Sequence, residues 1–138
     1  MDRIRVLIAE DHEGMLAQIE NLLRPVFEIV ASVGDGPSLL AAAARVQADV
    51  TVLDIAMPGM NGFKVARALR ESSQKAGIVF LSIHDDPDYR KEAFEAGALA
   101  YVIKPRMGED LINAIKSAAS GRRFFPRSGE SDTIGSHE

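Results

Sequence analysis

Apolar and polar positions alternate between two rhythms along this chain. Ile4 to Ala9, Val26 to Val33, Val50 to Leu53, Ile78 to Ile83 and Leu99 to Ile103 are apolar and largely β-branched, which reads as five strands. Between them the apolar residues recur at helical spacing. From His12 to Arg24 they fall at Met15, Leu16, Ile19, Leu22 and Leu23, one face of a helix that Pro25 ends. Ser38 to Val46 repeats the pattern with Leu39, Leu40, Ala43 and Val46, after a Gly34-Asp35-Gly36-Pro37 turn. A third helix opens at Asn61 or Gly62 and runs to about Glu71. A fourth starts at Asp86-Pro87, an N-cap followed by proline, and stops at Gly97. A fifth, Gly108 to Ser120, carries Leu111, Ile112, Ile115, Ala118 and Ala119 on one face and closes at Gly121.

Strands that are apolar on both sides are covered on both sides. Five of them alternating with five helices predict an α/β fold with a doubly wound parallel sheet and helices on both faces. Active residues in such sheets lie beyond the carboxyl ends of the strands. Glu10-Asp11, Asp54, Ser82 and Lys104 all stand there.

The bulk numbers fit one domain. The chain has 138 residues, 46% of them hydrophobic and 26% charged, with a net charge of −4. That balance argues against binding nucleic acid through the whole surface. No cysteine is present, so thiolate chemistry is excluded. The first residues show no signal-peptide pattern, and no apolar run reaches the roughly 20 residues of a membrane span. Residues 127–138 are small and polar, and are expected to form a disordered tail.

The strand-end residues carry the chemistry. A doubly wound protein that holds a phosphate directly usually offers glycines and hydroxyls after its first strand. Two acids there instead predict a divalent cation, Mg²⁺ with Mn²⁺ as the alternative, between the carboxylates and any phosphate. Asp54 is the third acid, at the end of the central strand, and is placed to attack phosphorus as a carboxylate nucleophile. Lys104 supplies a positive charge for phosphoryl oxygens or pairs with Asp54. Ser82 offers a hydroxyl donor. Tyr101 is either a core residue with its hydroxyl at the rim or a ring that moves inward when Ser82 moves.

Together these residues resemble the receiver domain of bacterial two-component response regulators. The matching motifs are the acidic pair, Asp54 with Met57-Pro58-Gly59 and Gly62, Leu81-Ser82, and Ala100-Tyr101-Val102-Ile103-Lys104-Pro105. Ser82-Ile83-His84-Asp85-Asp86 and Ala119 to Pro126 look closest to receivers that precede a LuxR-type helix-turn-helix (NarL/FixJ-like). The resemblance implies a flavodoxin-like fold with strand order 2-1-3-4-5, a receiver over residues 1–126, and a cytoplasmic location. It implies Asp54 as phosphoacceptor, and Mg²⁺ on Glu10, Asp11, Asp54 and the Ala56 carbonyl. Lys104 becomes the phosphate-binding lysine, and Ser82 with Tyr101 the switch pair. Its implied partner is a sensor histidine kinase, together with a phosphorylation-dependent homodimer. DNA would be reached only through an effector domain that this sequence does not contain.

The sequence departs from the family pattern in three places. Glu10 replaces the commoner aspartate, Ser82 the commoner threonine, and Ala56 leaves no polar side chain two residues past Asp54. Ala56 disfavours an aspartate-nucleophile phosphohydrolase, which usually carries a second aspartate there. The acidic first loop disfavours a flavin site, and the complete residue set disfavours a non-phosphorylated scaffold. His84 reads as a solvated loop histidine rather than a group that orients a hydrolytic water.

Overall fold

The computed structural model describes residues 3–58, 60–72 and 75–125. Its main sheet has five parallel strands: β1 (Arg5–Ala9), β2 (Glu28–Val33), β3 (Val50–Asp54), β6 (Gly77–Ser82) and β7 (Ala100–Ile103). Their order across the sheet is β2-β1-β3-β6-β7, so the five parallel strands run 2-1-3-4-5 in chain sequence, as expected. Five helices follow them in alternation: α1 (Glu13–Leu23), α2 (Gly36–Arg45), α3 (Gly62–Glu71), α4 (Pro87–Glu95) and α5 (Met107–Ala119).

Side chains of adjacent strand residues point to opposite faces, and both faces are packed. Leu7, Ala9, Leu53, Phe80 and Tyr101 meet Leu39 of α2, Phe63 and Leu69 of α3 and Ala93 of α4. Val6, Ile8, Val52, Val79, Leu81 and Val102 meet Ile19 and Leu23 of α1 and Leu111 and Ile115 of α5. Each large apolar side chain so buried stabilises the fold by roughly 1.5–3 kcal/mol relative to exposure.

Capping fixes where the helices begin. His12 caps α1 by accepting the Met15 N–H on Nδ1 at 3.1 Å, and Asn61 caps α3 by accepting the Lys64 N–H at 3.0 Å. The expected Gly34-to-Pro37 turn is shorter than it looked. Asp35 accepts the Ser38 N–H at 2.7 Å, so α2 already begins at Gly36 and proline sits in its first turn. Asp86 occupies the cap position of α4 without making a side-chain cap bond. Gly97, at φ +101°, ends that segment in a conformation that favours glycine.

Two small elements carried no periodic signal. A two-stranded antiparallel ribbon, β4 (Ala56–Met57) with β5 (Met60–Asn61), follows Asp54, and a 3₁₀ turn over Lys104–Arg106 follows β7. Gly59, Pro126 and the tail 127–138 lie outside the described residues. Among those described, no helix is long and apolar enough to cross a membrane.

Candidate functional site

Two strands deliver three acids to one place. Glu10 follows β1, and its N–H is held by the Val33 carbonyl of β2 at 2.9 Å. Asp11 follows it and is exposed. Asp54 ends β3, in register with Leu81 of β6, and is only 6% exposed. Glu10, Asp11 and Asp54 each bring one carboxylate oxygen within 4.8 Å of the others.

A lysine closes the site. Lys104 Nζ lies 3.1 Å from Glu10 Oε1 and 3.3 Å from Asp54 Oδ2. The Lys104–Pro105 bond is trans, and the lysine still reaches the acids. Glu10 Oε2 accepts the His12 N–H at 3.1 Å, and Asp54 Oδ1 accepts the Ala56 N–H at 3.2 Å. Glu10 Oε1 is buried, and although the ammonium is close it receives no well-directed hydrogen bond.

The electrostatics follow from burial and crowding. Burial pushes the Asp54 carboxyl up from 3.8 to about 6, and the neighbouring Glu10 charge pushes the same way. Lys104 and the Ala56 N–H oppose that rise without cancelling it. Burial works against the Lys104 ammonium, but Asp54 and Glu10 outweigh it and hold its pKa above the usual value.

A hard divalent cation fits this donor set. The cluster offers only oxygen ligands, crowds negative charge that one lysine does not fully offset, and includes a buried carboxylate oxygen lacking a directed donor. Gly62 keeps the third acid's turn tight. Its N–H donates to the Ile55 carbonyl at 2.6 Å, and a Cβ there would stand 2.6 Å from Ile55 Cα and 2.9 Å from the Asp54 carbonyl oxygen.

Ser82 and Tyr101 meet through a third residue. Ser82, 2% exposed, accepts the His84 N–H on Oγ at 3.0 Å. Tyr101 is fully buried and donates its hydroxyl to the His84 carbonyl at 2.7 Å. The ring is therefore inward, and burial holds its phenol above the usual range. His84 is exposed in the loop after β6, as expected, and its ring stacks on Tyr89 with centroids 4.3 Å apart. Ala56 presents only a methyl group to solvent.

A separate cavity of about 250 Å³ opens at the amino-terminal end of the strands, lined in part by Leu7, Thr51, Leu69 and Ile78. It contains none of the clustered acids. The candidate site is the acidic cluster, where charge rather than hollow volume concentrates.

The structure brings together the acids and the lysine that the sequence singled out, and joins them by contacts that the sequence did not show. The Lys104–Glu10 contact and the His12 amide bond to Glu10 depend on the longer glutamate arm. The departure from aspartate at that position was the available signal.

Fold and site together define a doubly wound α/β protein with an acidic, cation-ready strand-end cluster. The family model for the response regulator receiver domain matches residues 6–116, and the chain belongs to that family. It is a signalling domain of two-component systems. It is 36% identical over 123 residues to the nitrate/nitrite response regulator protein NarP of Escherichia coli (strain K12), covering 88% of this chain and 57% of that protein. It is 32% identical over 126 residues to the transcriptional regulatory protein DegU of Brevibacillus brevis, covering 90% of this chain and 53% of that one. Among solved structures it matches the signal receiver domain of the putative response regulator NarL from Mycobacterium tuberculosis. That match has a TM-score of 0.84 and 27% identity, over 88% of this chain and all of that one. A LuxR-family two-component response regulator from Aurantimonas sp. SI85-9A1 matches at 0.84 and 28%, over 89% of both chains. The chain thus spans little more than half the length of these two curated relatives.

Proposed function

We propose that Asp54 is the phosphoacceptor and that a sensor histidine kinase is the donor. The observation that carries this is the convergence of Glu10, Asp11 and Asp54 within 4.8 Å, with Lys104 at 3.3 Å from Asp54. An Asp54 carboxylate oxygen attacks phosphorus, a P–O bond forms, and the P–N bond to the donor imidazole breaks. The leaving nitrogen keeps the electron pair and takes a proton from solvent. The receiver thereby promotes its own phosphorylation, and the same site promotes hydrolysis.

Glu10, Asp11, Asp54 and the Ala56 carbonyl would hold Mg²⁺, with Mn²⁺ as the alternative. Bound there, the cation supplies charge neutralisation between the acids and the incoming phosphoryl group. Lys104 exchanges its carboxylate partner for a phosphoryl oxygen. Ser82 donates its hydroxyl to another, and Tyr101 with Ser82 forms the switch that alters the α4–β7–α5 surface. We assign residues 1–126 to the receiver and 127–138 to a polar tail, with the whole acting in the cytoplasm. A phosphorylation-stabilised homodimer, and DNA reached through an effector domain, belong to the same reading.

Acetyl phosphate with Mg²⁺ tests it. The native chain should gain the mass of one phosphoryl group, and Asp54→Asn should gain none. Equal labelling of both would end the proposal.

A further inference from the structure

The segment after α5 does not simply leave the domain. Arg122 N–H bonds the Ser117 carbonyl at 2.8 Å, turning the chain back at Gly121, whose φ is +76°. Phe124 then pairs in parallel with Ala100 on the outer edge of β7. Its N–H donates to the Leu99 carbonyl at 2.8 Å, and its carbonyl accepts the Tyr101 N–H at 3.0 Å. The segment is a strap on an otherwise open sheet edge.

The strap ends on the switch tyrosine. The Phe125 ring stacks on Tyr101 with centroids 6.4 Å apart and meets Phe94 of α4 edge-on at 6.2 Å. The Arg123 guanidinium lies 4.2 Å from the centroid of the exposed Phe94 ring. Tyr101 is thus held at both ends, its ring by Phe125 and its hydroxyl by the His84 carbonyl. The His84 N–H is bonded to Ser82 Oγ, so ring position and Ser82 position are set together.

We propose that Phe125 is a positioning residue for the phosphoryl site. It holds Tyr101 inward and so favours the Ser82 arrangement that receives a phosphoryl group. This rests on the proposed role of Asp54. Coupling of this kind is reciprocal. Occupation of the site must tighten the strap by the same factor by which the strap strengthens occupation. The chain leaving at Phe125 would then report the state of Asp54 to whatever follows it.

The test uses the full chain with Mg²⁺ and beryllofluoride as phosphoryl mimic. Hydrogen exchange of the Tyr101 and Phe124 amides, both bonded across the strap, should slow when the mimic binds. Phe125→Ala should weaken mimic binding by up to about tenfold, the scale of one lost aromatic pair. Phe125→Leu, which keeps bulk without the stacking plane, should fall between. Folding of each variant is checked by its thermal transition, and the exchange measurement on the native chain needs no variant. If the mimic binds in an Asp54-dependent way but both amides exchange as before and Phe125→Ala binds normally, the strap coupling is wrong. If the mimic shows no Asp54-dependent binding, the phosphoacceptor reading itself has failed.

Discussion

Lys104 Nζ reaches Asp54 Oδ2 at 3.3 Å, across a separation of 50 residues in the chain. The same ammonium touches Glu10 at 3.1 Å. One cation therefore serves two buried carboxylates, while Asp11 stands exposed beside them. The site is short of positive charge by construction, and most of its expected behaviour follows from that deficit.

The first consequence is a dependence of stability on pH. The folded chain holds the Asp54 proton more tightly than the unfolded chain, because the carboxyl pKa rises from 3.8 to about 6. Ionising it costs more in the fold. The penalty is fully present above pH 6 and fades as pH falls toward 3.8. Without divalent cation, Asp54→Asn should stabilise the protein at pH 7.5 by up to about 3 kcal/mol. Urea unfolding should show that advantage shrinking at pH 4.5. A variant no more stable than native at pH 7.5 would contradict the charge argument.

Magnesium should remove the same penalty. Native thermal stability should rise with Mg²⁺ concentration in the manner of a ligand that binds only the folded state. The gain should weaken as pH drops through 6, where protons compete for Asp54. Asp11→Asn should blunt the gain while leaving metal-free stability nearly unchanged, since Asp11 is exposed. Calorimetric scans across Mg²⁺ concentrations check both.

Lys104→Met should be costly. It leaves Glu10 and Asp54, whose side chains are 1% and 8% exposed, without their counter-charge. Breaking a buried pair from one side typically costs about 3–5 kcal/mol. Mg²⁺ should recover part of that loss. Denaturant midpoints with and without the cation measure both effects.

Gly62→Ala should disturb the site through the backbone. The added carbon would stand 2.6 Å from Ile55 Cα and 2.9 Å from the Asp54 carbonyl, and neither backbone atom can yield cheaply. A destabilisation of about 1–3 kcal/mol is expected. Mg²⁺ binding should weaken as well, because the turn that carries Asp54 must move. A variant with native midpoint and native Mg²⁺ response would contradict this backbone constraint on the turn.

The fold was legible because Val6 to Ala9, Val50 to Leu53 and Ile78 to Leu81 are buried on both faces of the sheet. A continuous apolar run is then the only pattern available to them. The acids and Lys104 were legible because they interrupt such runs at their ends. The Ala56–Met57 ribbon was not, since strands of two residues have no period. Nor was the strap, because the Phe124 pairing with β7 is made by backbone atoms that every residue carries. The inward position of Tyr101 depends on His84 and Phe125, two partners distant in sequence.

The central claim is that Asp54 forms the acyl phosphate. After reaction with acetyl phosphate and Mg²⁺, borohydride reduction converts a phosphorylated aspartate to homoserine, and peptide mapping locates it. The account predicts conversion at position 54 alone, lost when Mg²⁺ is chelated. Conversion at Asp11, or none at any position while the chain still carries phosphate, would contradict it.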